Sequence, residues 1–143
     1  MTVLVDTGVI YADHDIDASR HDVAAAALDT VYDGALGQPY VSEYVYDEAI
    51  TLTRVRTNSH AAAERLGERL RGVDSYPQLY EMLRVSAAAF ADAVDTFEKY
   101  DDQSLSFTDA TTVALCRRHG IDTVLSFDDD FDGLVERFDP ADL

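Results

Sequence analysis

Short apolar runs and amphipathic stretches alternate along this chain, and they predict strands followed by helices. Residues 3–5 form an uninterrupted apolar run, which is typical of a strand buried on both faces of a parallel sheet. After this strand we expect a turn at residues 7–8 and then a short apolar segment at residues 9–12. Further strands are predicted at residues 40–41, 79–85 and 123–127.

Apolar residues spaced three or four positions apart predict helices between these strands. A residue that can cap a helix precedes each of them, namely Asp17, Ser42, Ser59, Ser86 and Ser106. We expect Val55 to lie on the apolar stripe of its helix, and Phe90 and Phe97 to face the core from theirs. Because strands and helices alternate, the pattern predicts an α/β fold with a parallel sheet, in a single domain spanning residues 1–143.

Composition adds a strongly charged surface to this picture. The 143 residues carry 28 acidic and 11 cationic side chains, for a formal net charge of −17, while a hydrophobic content of 47% argues against disorder. Asp outnumbers Glu by 21 to 7, and Lys99 is the one lysine. Acidic, lysine-poor surfaces are typical of extreme halophiles such as halophilic archaea, where concentrated salt screens the repulsion. No apolar run approaches the ~20 residues of a membrane span and no leader precedes the first strand, so we expect a cytoplasmic protein.

Four acidic residues stand out by their position rather than by their abundance. Asp6 and Asp128 follow predicted strands, and the carboxyl ends of strands are where ligands bind in open α/β sheets. Asp109 starts a predicted helix, where an acidic residue also serves as a cap. Glu48 lies on the apolar stripe of its helix, in line with Val45. An unpaired carboxylate at such a position costs several kcal/mol unless a cation meets it.

A cluster of carboxylates at one edge of a sheet predicts a divalent metal site. Carboxylates that are brought together repel one another and raise each other's pKa. A hard cation such as Mg²⁺ or Mn²⁺ reverses that preference because it binds oxygen ligands. Such a site can activate water and neutralise the charge of a scissile phosphate.

The same four acids lie within segments that resemble the four sequence motifs of PIN domains. Residues 3–7 (VLVDT) resemble the first motif and residues 46–49 (YDEA) the second, while residues 105–110 (LSFTDA) and 126–131 (SFDDDF) resemble the third and fourth. The motifs follow the order and spacing of the family and span nearly the whole chain. Single-domain PIN proteins of this size are mostly VapC-type toxins of toxin–antitoxin pairs.

The resemblance implies a three-layer α/β/α fold with a mainly parallel sheet. It also implies a Mg²⁺- or Mn²⁺-dependent ribonuclease that forms homodimers and is inhibited by a small VapB-like antitoxin. The four acids would then be the catalytic, metal-holding residues, although Glu43 lies in the same helix as Glu48 and is an alternative second acid. Candidate accessory residues that orient water or share the fourth motif's role are Thr7, Thr108, Asp130 and Asp132.

The cationic residues are concentrated in one part of the chain. Five of the 11 lie between residues 54 and 71, namely Arg54, Arg56, Arg65, Arg69 and Arg71. They either pair with nearby acids such as Glu64 and Glu68 or form a surface that contacts RNA or the antitoxin. Because RNA is a polyanion and this chain is acidic, we expect metal and these arginines to carry recognition.

Alternative functions are also compatible with the sequence. Residues 128–139 match most of an EF-hand calcium loop, but a predicted strand rather than a helix leads into it, and Asp139 occupies the twelfth position, where glutamate is usual. A PIN fold can also serve an RNA-processing nuclease outside a toxin–antitoxin pair, or a protein-interaction module that has lost catalysis.

Overall fold

The computed structural model describes residues 1–143, and five strands in it form one fully parallel sheet. The strands are β1 Thr2–Val5, β2 Gln38–Ser42, β3 Glu81–Leu83, β4 Thr123–Leu125 and β5 Arg137–Phe138. The α-helices are α1 Thr7–His14, α2 His21–Tyr32, α3 Glu43–Thr57, α4 His60–Arg71, α5 Ala87–Lys99 and α6 Phe107–His119. Two short 3-10 helices follow β4 and β5, at Asp129–Phe131 and Pro140–Asp142.

The strand order in the sheet is β3-β2-β1-β4-β5, so the chain winds outward on one side of β1 and then crosses to the other. Leu4 in the central strand lies opposite Tyr40 of β2 and Val124 of β4. The order therefore reverses between β1 and β4. In sheets of this kind the crevice beyond the carboxyl ends of those two strands is the usual place for a ligand.

Helices cover both faces of the sheet, which confirms the predicted three-layer α/β/α architecture. Val3 and Val5 point to one face and belong to the larger core cluster, whose helical residues come from α1 to α4. Leu4 points to the other face and packs with residues of α5 and α6, including Val113. The alternation within β1 is what a strand buried on both faces requires.

Serine caps start four of the helices, as the sequence predicts. The side-chain oxygens of Ser42, Ser59, Ser86 and Ser106 each accept a hydrogen bond from the backbone N–H three residues later, on Val45, Ala62, Ala89 and Asp109. The expected cap at Asp17 is wrong, because α2 begins at His21 and Arg20 precedes it without a side-chain cap. The expected turn at residues 7–8 is also wrong, since α1 starts at Thr7 directly after β1.

The predicted inward face of α5 is wrong as well. Phe90 and Phe97 are 44% and 45% exposed. The buried positions of this helix are small residues, Ala89, Ala93 and Thr96, which allow a close approach to α6. The two phenylalanines instead pack around Phe107, with ring centroids 5.4 and 5.9 Å from it.

Two further differences concern the ends of elements. Val55, expected on the apolar stripe of α3, is 71% exposed near the C-terminal end of that helix. Strand β5 was not predicted, because a strand of two residues is too short to carry a periodic pattern. None of the helices is long and apolar enough to cross a membrane.

Candidate active site

Two aspartates meet where the strand order reverses. Asp6 follows β1, and its backbone N–H extends the sheet by donating to the carbonyl of Leu125 at 3.0 Å. Asp128 follows the neighbouring strand β4 by three residues. Parallel strands end at the same edge of the sheet, and both side chains therefore line the same cleft.

Two helices bring the remaining predicted acids to this cleft. Glu48 projects from the second turn of α3, and Asp109 lies in the first turn of α6. The cleft has a volume of about 650 Å³. It is lined by Asp6, Thr7, Gly8, Arg20, Glu48, Leu52, Ser104, Ser106, Asp109, Ser126, Phe127, Asp128 and Asp129.

Glu43, the alternative second acid, is held elsewhere. Its carboxylate accepts a hydrogen bond from the backbone N–H of Val85 and lies 3.5 Å from the guanidinium of Arg84. It does not line the acidic cleft. The helical spacing of five residues turns Glu43 and Glu48 toward different neighbours, so Glu48 is the acid of α3 that joins Asp6, Asp109 and Asp128.

Ser126 links the two strand-end aspartates. Its hydroxyl donates to Asp6 Oδ2 at 2.7 Å and accepts from the backbone N–H of Asp128 at 2.9 Å. The side chain is fully buried. Ser126 was not among the predicted site residues, although a serine that follows a buried strand and precedes an acid by two positions is a recognisable signal.

Asp109 caps helix α6 and also lines the cleft. Its backbone N–H donates to Ser106 Oγ and its own Oδ2 accepts from the Ser106 backbone N–H, both at 3.0 Å. This reciprocal arrangement is a capping box, and it fixes the rotamer of the carboxylate. The other carboxylate oxygen is left for the cleft, so capping and a role in the site are compatible.

Burial makes the two most enclosed acids hard to ionise. The pKa of Asp6 is raised to about 7, first by burial and then by the charges of Asp109 and Glu48, against the opposing hydrogen bond from Ser126. The pKa of Asp109 is also raised, first by burial and then by Asp128 and Glu48, against the opposing hydrogen bonds with Ser106. Acids that oppose each other's ionisation in this way favour a cation between them.

The donor set fits a hard divalent cation such as Mg²⁺ or Mn²⁺. The four predicted carboxylates line one cleft, and the buried Thr7 Oγ1 beside them has no hydrogen-bond partner in the protein. The acids come from four separate elements, and no three of these four carboxylates lie within 4.8 Å of one another. Such spacing suits an ion that keeps part of its water shell.

Comparison with known proteins gives the family. The family model described as the PIN domain matches residues 3–136 of this chain. The chain belongs to the PIN-domain family. Ribonuclease VapC26 of Mycobacterium tuberculosis is 28% identical over 127 residues, covering 88% of this chain and 86% of the relative.

Solved structures of other proteins have the same fold. VapC20 of Mycobacterium tuberculosis, described as a sarcin–ricin loop cleaving toxin, superposes with a TM-score of 0.78 at 27% identity, covering 94% of this chain and 97% of that one. A toxin–antitoxin complex from Klebsiella pneumoniae superposes with a TM-score of 0.65 at 17% identity, covering 96% and 97% of the two chains.

The accessory residues predicted for this PIN domain lie in different surroundings. Thr7 lines the cleft, whereas Thr108 lines a neighbouring depression beside Glu48 and Leu52. Asp130 lies outside the cleft lining, in a compact loop where its backbone N–H donates to Asp128 Oδ1 at 2.9 Å. Asp132 points away from the cleft and forms an ion pair with Arg137, in which Oδ1 of Asp132 lies 2.8 Å from Nε of Arg137.

The EF-hand alternative does not agree with the structure of residues 128–139. Strand β4 precedes this segment and β5 lies inside it, so the two flanking helices of an EF-hand are absent. Asp132 and Asp139, two of the would-be ligands, both lie beside the Arg137 guanidinium, the second at 3.6 Å.

The cluster of arginines on α3 and α4 does not reach the acidic cleft. Arg69 makes an ion pair of 2.8 Å with Asp13 and a hydrogen bond of 2.9 Å with His14, so it holds α4 against α1. Arg54 donates to Asn58, and Arg56 lies over the Tyr11 ring. None of the five pairs with Glu64 or Glu68, and the Glu64 carboxylate instead lies 3.5 Å from Nε2 of His60.

Besides Ser126, three more residues of the cleft were not predicted from the sequence. Asp129 lines it beside Asp128, and Arg20 stacks on Phe127 in its wall, with the guanidinium carbon 4.6 Å from the ring centroid. Arg20 is 14 residues from Asp6 in the chain and carries no local motif. Only the packing of the segment before α2 against the β4 end brings it to the site.

Proposed function

We propose that this chain is a metal-dependent endoribonuclease that hydrolyses RNA phosphodiester bonds in the cytoplasm, as the toxin of a VapBC-type pair. The observation that carries the proposal is the convergence of Asp6, Glu48, Asp109 and Asp128 on one cleft at the switch point of the sheet. Membership of the PIN-domain family and likeness to a protein named a ribonuclease support it. The unit of function we propose is the single domain of residues 1–143.

The four acids would hold one or two Mg²⁺ or Mn²⁺ ions. A bound divalent cation would lower the pKa of water and offset charge on the scissile phosphate. The protein's part is to fix the donors: Ser126 orients Asp6, and the capping box orients Asp109. The unpartnered hydroxyl of Thr7 is available to hold a water molecule near Asp6.

Substitution of the four acids tests this mechanism. Asp6→Asn, Glu48→Gln, Asp109→Asn and Asp128→Asn keep side-chain shape and remove a charge that a cation needs. Each should lower Mn²⁺-dependent cleavage of a fluorescent RNA by about 100-fold or more while leaving the metal-free fold intact. Asp95→Asn is the control, because Asp95 is exposed on α5 away from the cleft. Cleavage that survives EDTA, or that persists in Asp6→Asn and Asp109→Asn, would contradict the mechanism.

We further propose a homodimer and a small antitoxin as partners. The support is that a structurally similar protein is described as part of a toxin–antitoxin complex. Four members of the arginine cluster are exposed, Arg54, Arg56, Arg65 and Arg71. Because Arg56 lies over the Tyr11 ring and Arg71 donates to the Gly67 carbonyl, we take Arg54 and Arg65 as the first candidates for contacting the antitoxin. Reversing both charges to Glu should weaken the complex formed on co-expression with the product of the open reading frame immediately upstream of this gene, with an unchanged melting temperature. Arg69 is unsuitable for this test because its ion pair with Asp13 is structural.

A further inference from the structure

Arg20 is the one cationic side chain in a cleft otherwise dominated by acids. Five carboxylates line that cleft, those of Asp6, Glu48, Asp109, Asp128 and Asp129. Arg20 nevertheless takes part in none of the chain's ion pairs, so its guanidinium lies more than 4.0 Å from every one of those carboxylate oxygens. Because Arg20 pairs with none of these five acids, another contact must position its side chain.

The ring of Phe127 holds it. The guanidinium carbon lies 4.6 Å from the ring centroid, which is a cation–π distance. Phe127 stands between Ser126 and Asp128, the two residues that connect the sheet to the acidic site. Arg20 is therefore anchored to the same loop as Asp128, and its position relative to the acids is fixed although its side chain is exposed.

Stacking on an aromatic ring occupies the face of a guanidinium and leaves its edge free. The edge carries five N–H donors in a fork that matches the oxygens of a phosphate. The other arginines that the sequence suggested for RNA lie outside this cleft, and Arg69 is already paired with Asp13. A polyanion entering an acidic cleft needs a cation there in addition to any metal, because like charges repel.

We propose that Arg20 is a substrate-binding residue that contacts a backbone phosphate of the RNA strand next to the scissile bond. The inference rests on the proposed ribonuclease function and assigns the residue that anchors its substrate. Phe127 acts as a positioning residue for Arg20.

The test compares Arg20→Ala and Arg20→Lys with wild type on one fluorescein-labelled RNA, selected from a randomised pool because the wild-type protein cleaves it with Mn²⁺. Arg20→Ala should raise KM about tenfold or more with a much smaller change in kcat, as expected for a lost charge-assisted hydrogen bond. Affinity for RNA falls with salt, and the slope of log affinity against log salt concentration should become shallower by about 0.7. This is the value for one phosphate contact to a single strand. Arg20→Lys should keep that slope and recover only part of the affinity, because an ammonium lacks the planar fork.

Arg117→Ala is the charge-matched control. Arg117 is exposed near the C-terminal end of α6, at the opposite edge of the sheet from Asp109, so its loss should change neither KM nor the salt slope. Phe127→Leu is a second variant, which keeps the Arg20 charge but removes its ring; it should raise KM by less than Arg20→Ala does.

The outcomes separate this inference from the function on which it rests. A wild-type protein that cleaves no RNA in the pool overturns the proposed function and the role of Arg20 together. A wild-type protein that cleaves, with Arg20→Ala matching it in KM and salt slope, overturns the role of Arg20 alone. An Arg20→Ala variant that keeps its KM but no longer binds the co-expressed small protein shows that Arg20 contacts a protein partner, which also overturns the inference.

Discussion

Asp6 carries the strongest conflict between folding and chemistry in this molecule. Its carboxylate is only 7% exposed and receives one side-chain hydrogen bond, from Ser126. A buried carboxylate with so few partners destabilises its charged form, and the neighbouring Asp109 and Glu48 add repulsion. The metal-free protein therefore stabilises the protonated acid, whereas a cation would stabilise the ionised one.

This conflict predicts how the stability of the metal-free protein depends on pH. The folded-state pKa of Asp6, about 7, lies above its ordinary value of 3.8. The stabilising contribution is therefore fully present below about pH 4 and is lost as the pH rises through 7. With about 1.4 kcal/mol for each tenfold change in proton affinity, Asp6 alone should lower the free energy of unfolding by up to about 4 kcal/mol over that range.

Urea unfolding in EDTA between pH 4 and 8 measures this effect. The free energy of unfolding of Asp6→Asn should decline less with rising pH than that of wild type. At pH 8 Asp6→Asn should be the more stable protein. Asp95→Asn is the matched control and should follow the wild-type curve. Parallel curves for wild type and Asp6→Asn would show that Asp6 ionises normally in the folded state.

At the level of elements, the segment between β4 and β5 is held in place by one arginine. Arg137 Nη1 donates to the carbonyl of Ser126 at 2.9 Å, while its Nε and Nη2 donate to Asp132 at 2.8 and 3.2 Å. Its side chain is 12% exposed. The guanidinium thus connects β5 to Ser126 and Asp132, which lie on either side of Asp128 in the chain. Its hydrogen bonds also lower the pKa of Asp132.

We expect Arg137→Ala to weaken metal binding as well as the fold. Losing the donor to the Ser126 carbonyl should cost about 1–3 kcal/mol of stability. The looser loop should also reduce Mn²⁺ affinity by about 10- to 100-fold, the usual effect of losing a group that orients ligands. Thermal melts and Mn²⁺ titration calorimetry at a temperature far below unfolding separate the two effects.

Asp132→Asn provides the comparison for that experiment. Asp132 is 57% exposed, so solvent screens its charge, and losing that charge should change the melting temperature little and leave Mn²⁺ affinity nearly unchanged. Unaltered Mn²⁺ binding in Arg137→Ala would limit the role of Arg137 to ordinary stability.

At the level of the whole molecule, charge is the dominant feature. The net charge of −17 is spread along the chain, and only four of its cationic residues, Arg69, Arg84, Arg118 and Arg137, form ion pairs with acids. Most acids are therefore uncompensated at the surface. Self-repulsion of this kind destabilises the compact state unless salt screens it.

The melting temperature should consequently rise as KCl increases from about 0.1 M toward about 2 M, where the screening length falls to about 3 Å or less. Differential scanning calorimetry in EDTA measures it. A variant with Asp95, Asp101 and Asp102 changed to Asn, three exposed acids far from the Asp128 loop in the chain, should show a shallower rise. A melting temperature that stays flat or falls with KCl would refute salt adaptation as the purpose of the acidic surface.

Local patterns were enough to predict the alternating strands and helices, the four serine caps and the parallel sheet. Caps and buried strands are encoded within a few neighbouring residues, as Ser106 and Asp109 illustrate. The shared edge of two of the acids is likewise predictable, because Asp6 and Asp128 each follow an apolar run and parallel strands end at one edge. The sequence by itself therefore determined the architecture and three of the four acids proposed for the site.

Tertiary packing decided the rest. The apolar stripe of α3 favours Glu48 over Glu43, but the contacts of Glu43 with Val85 and Arg84 are what decide that Glu48 lines the cleft. Phe90 has the spacing of a core residue, yet the close approach of α5 to α6 buries small residues in its place. Arg20 reaches Phe127 across 107 positions of the chain. Such contacts depend on which elements meet in space, and no short stretch of sequence carries that information.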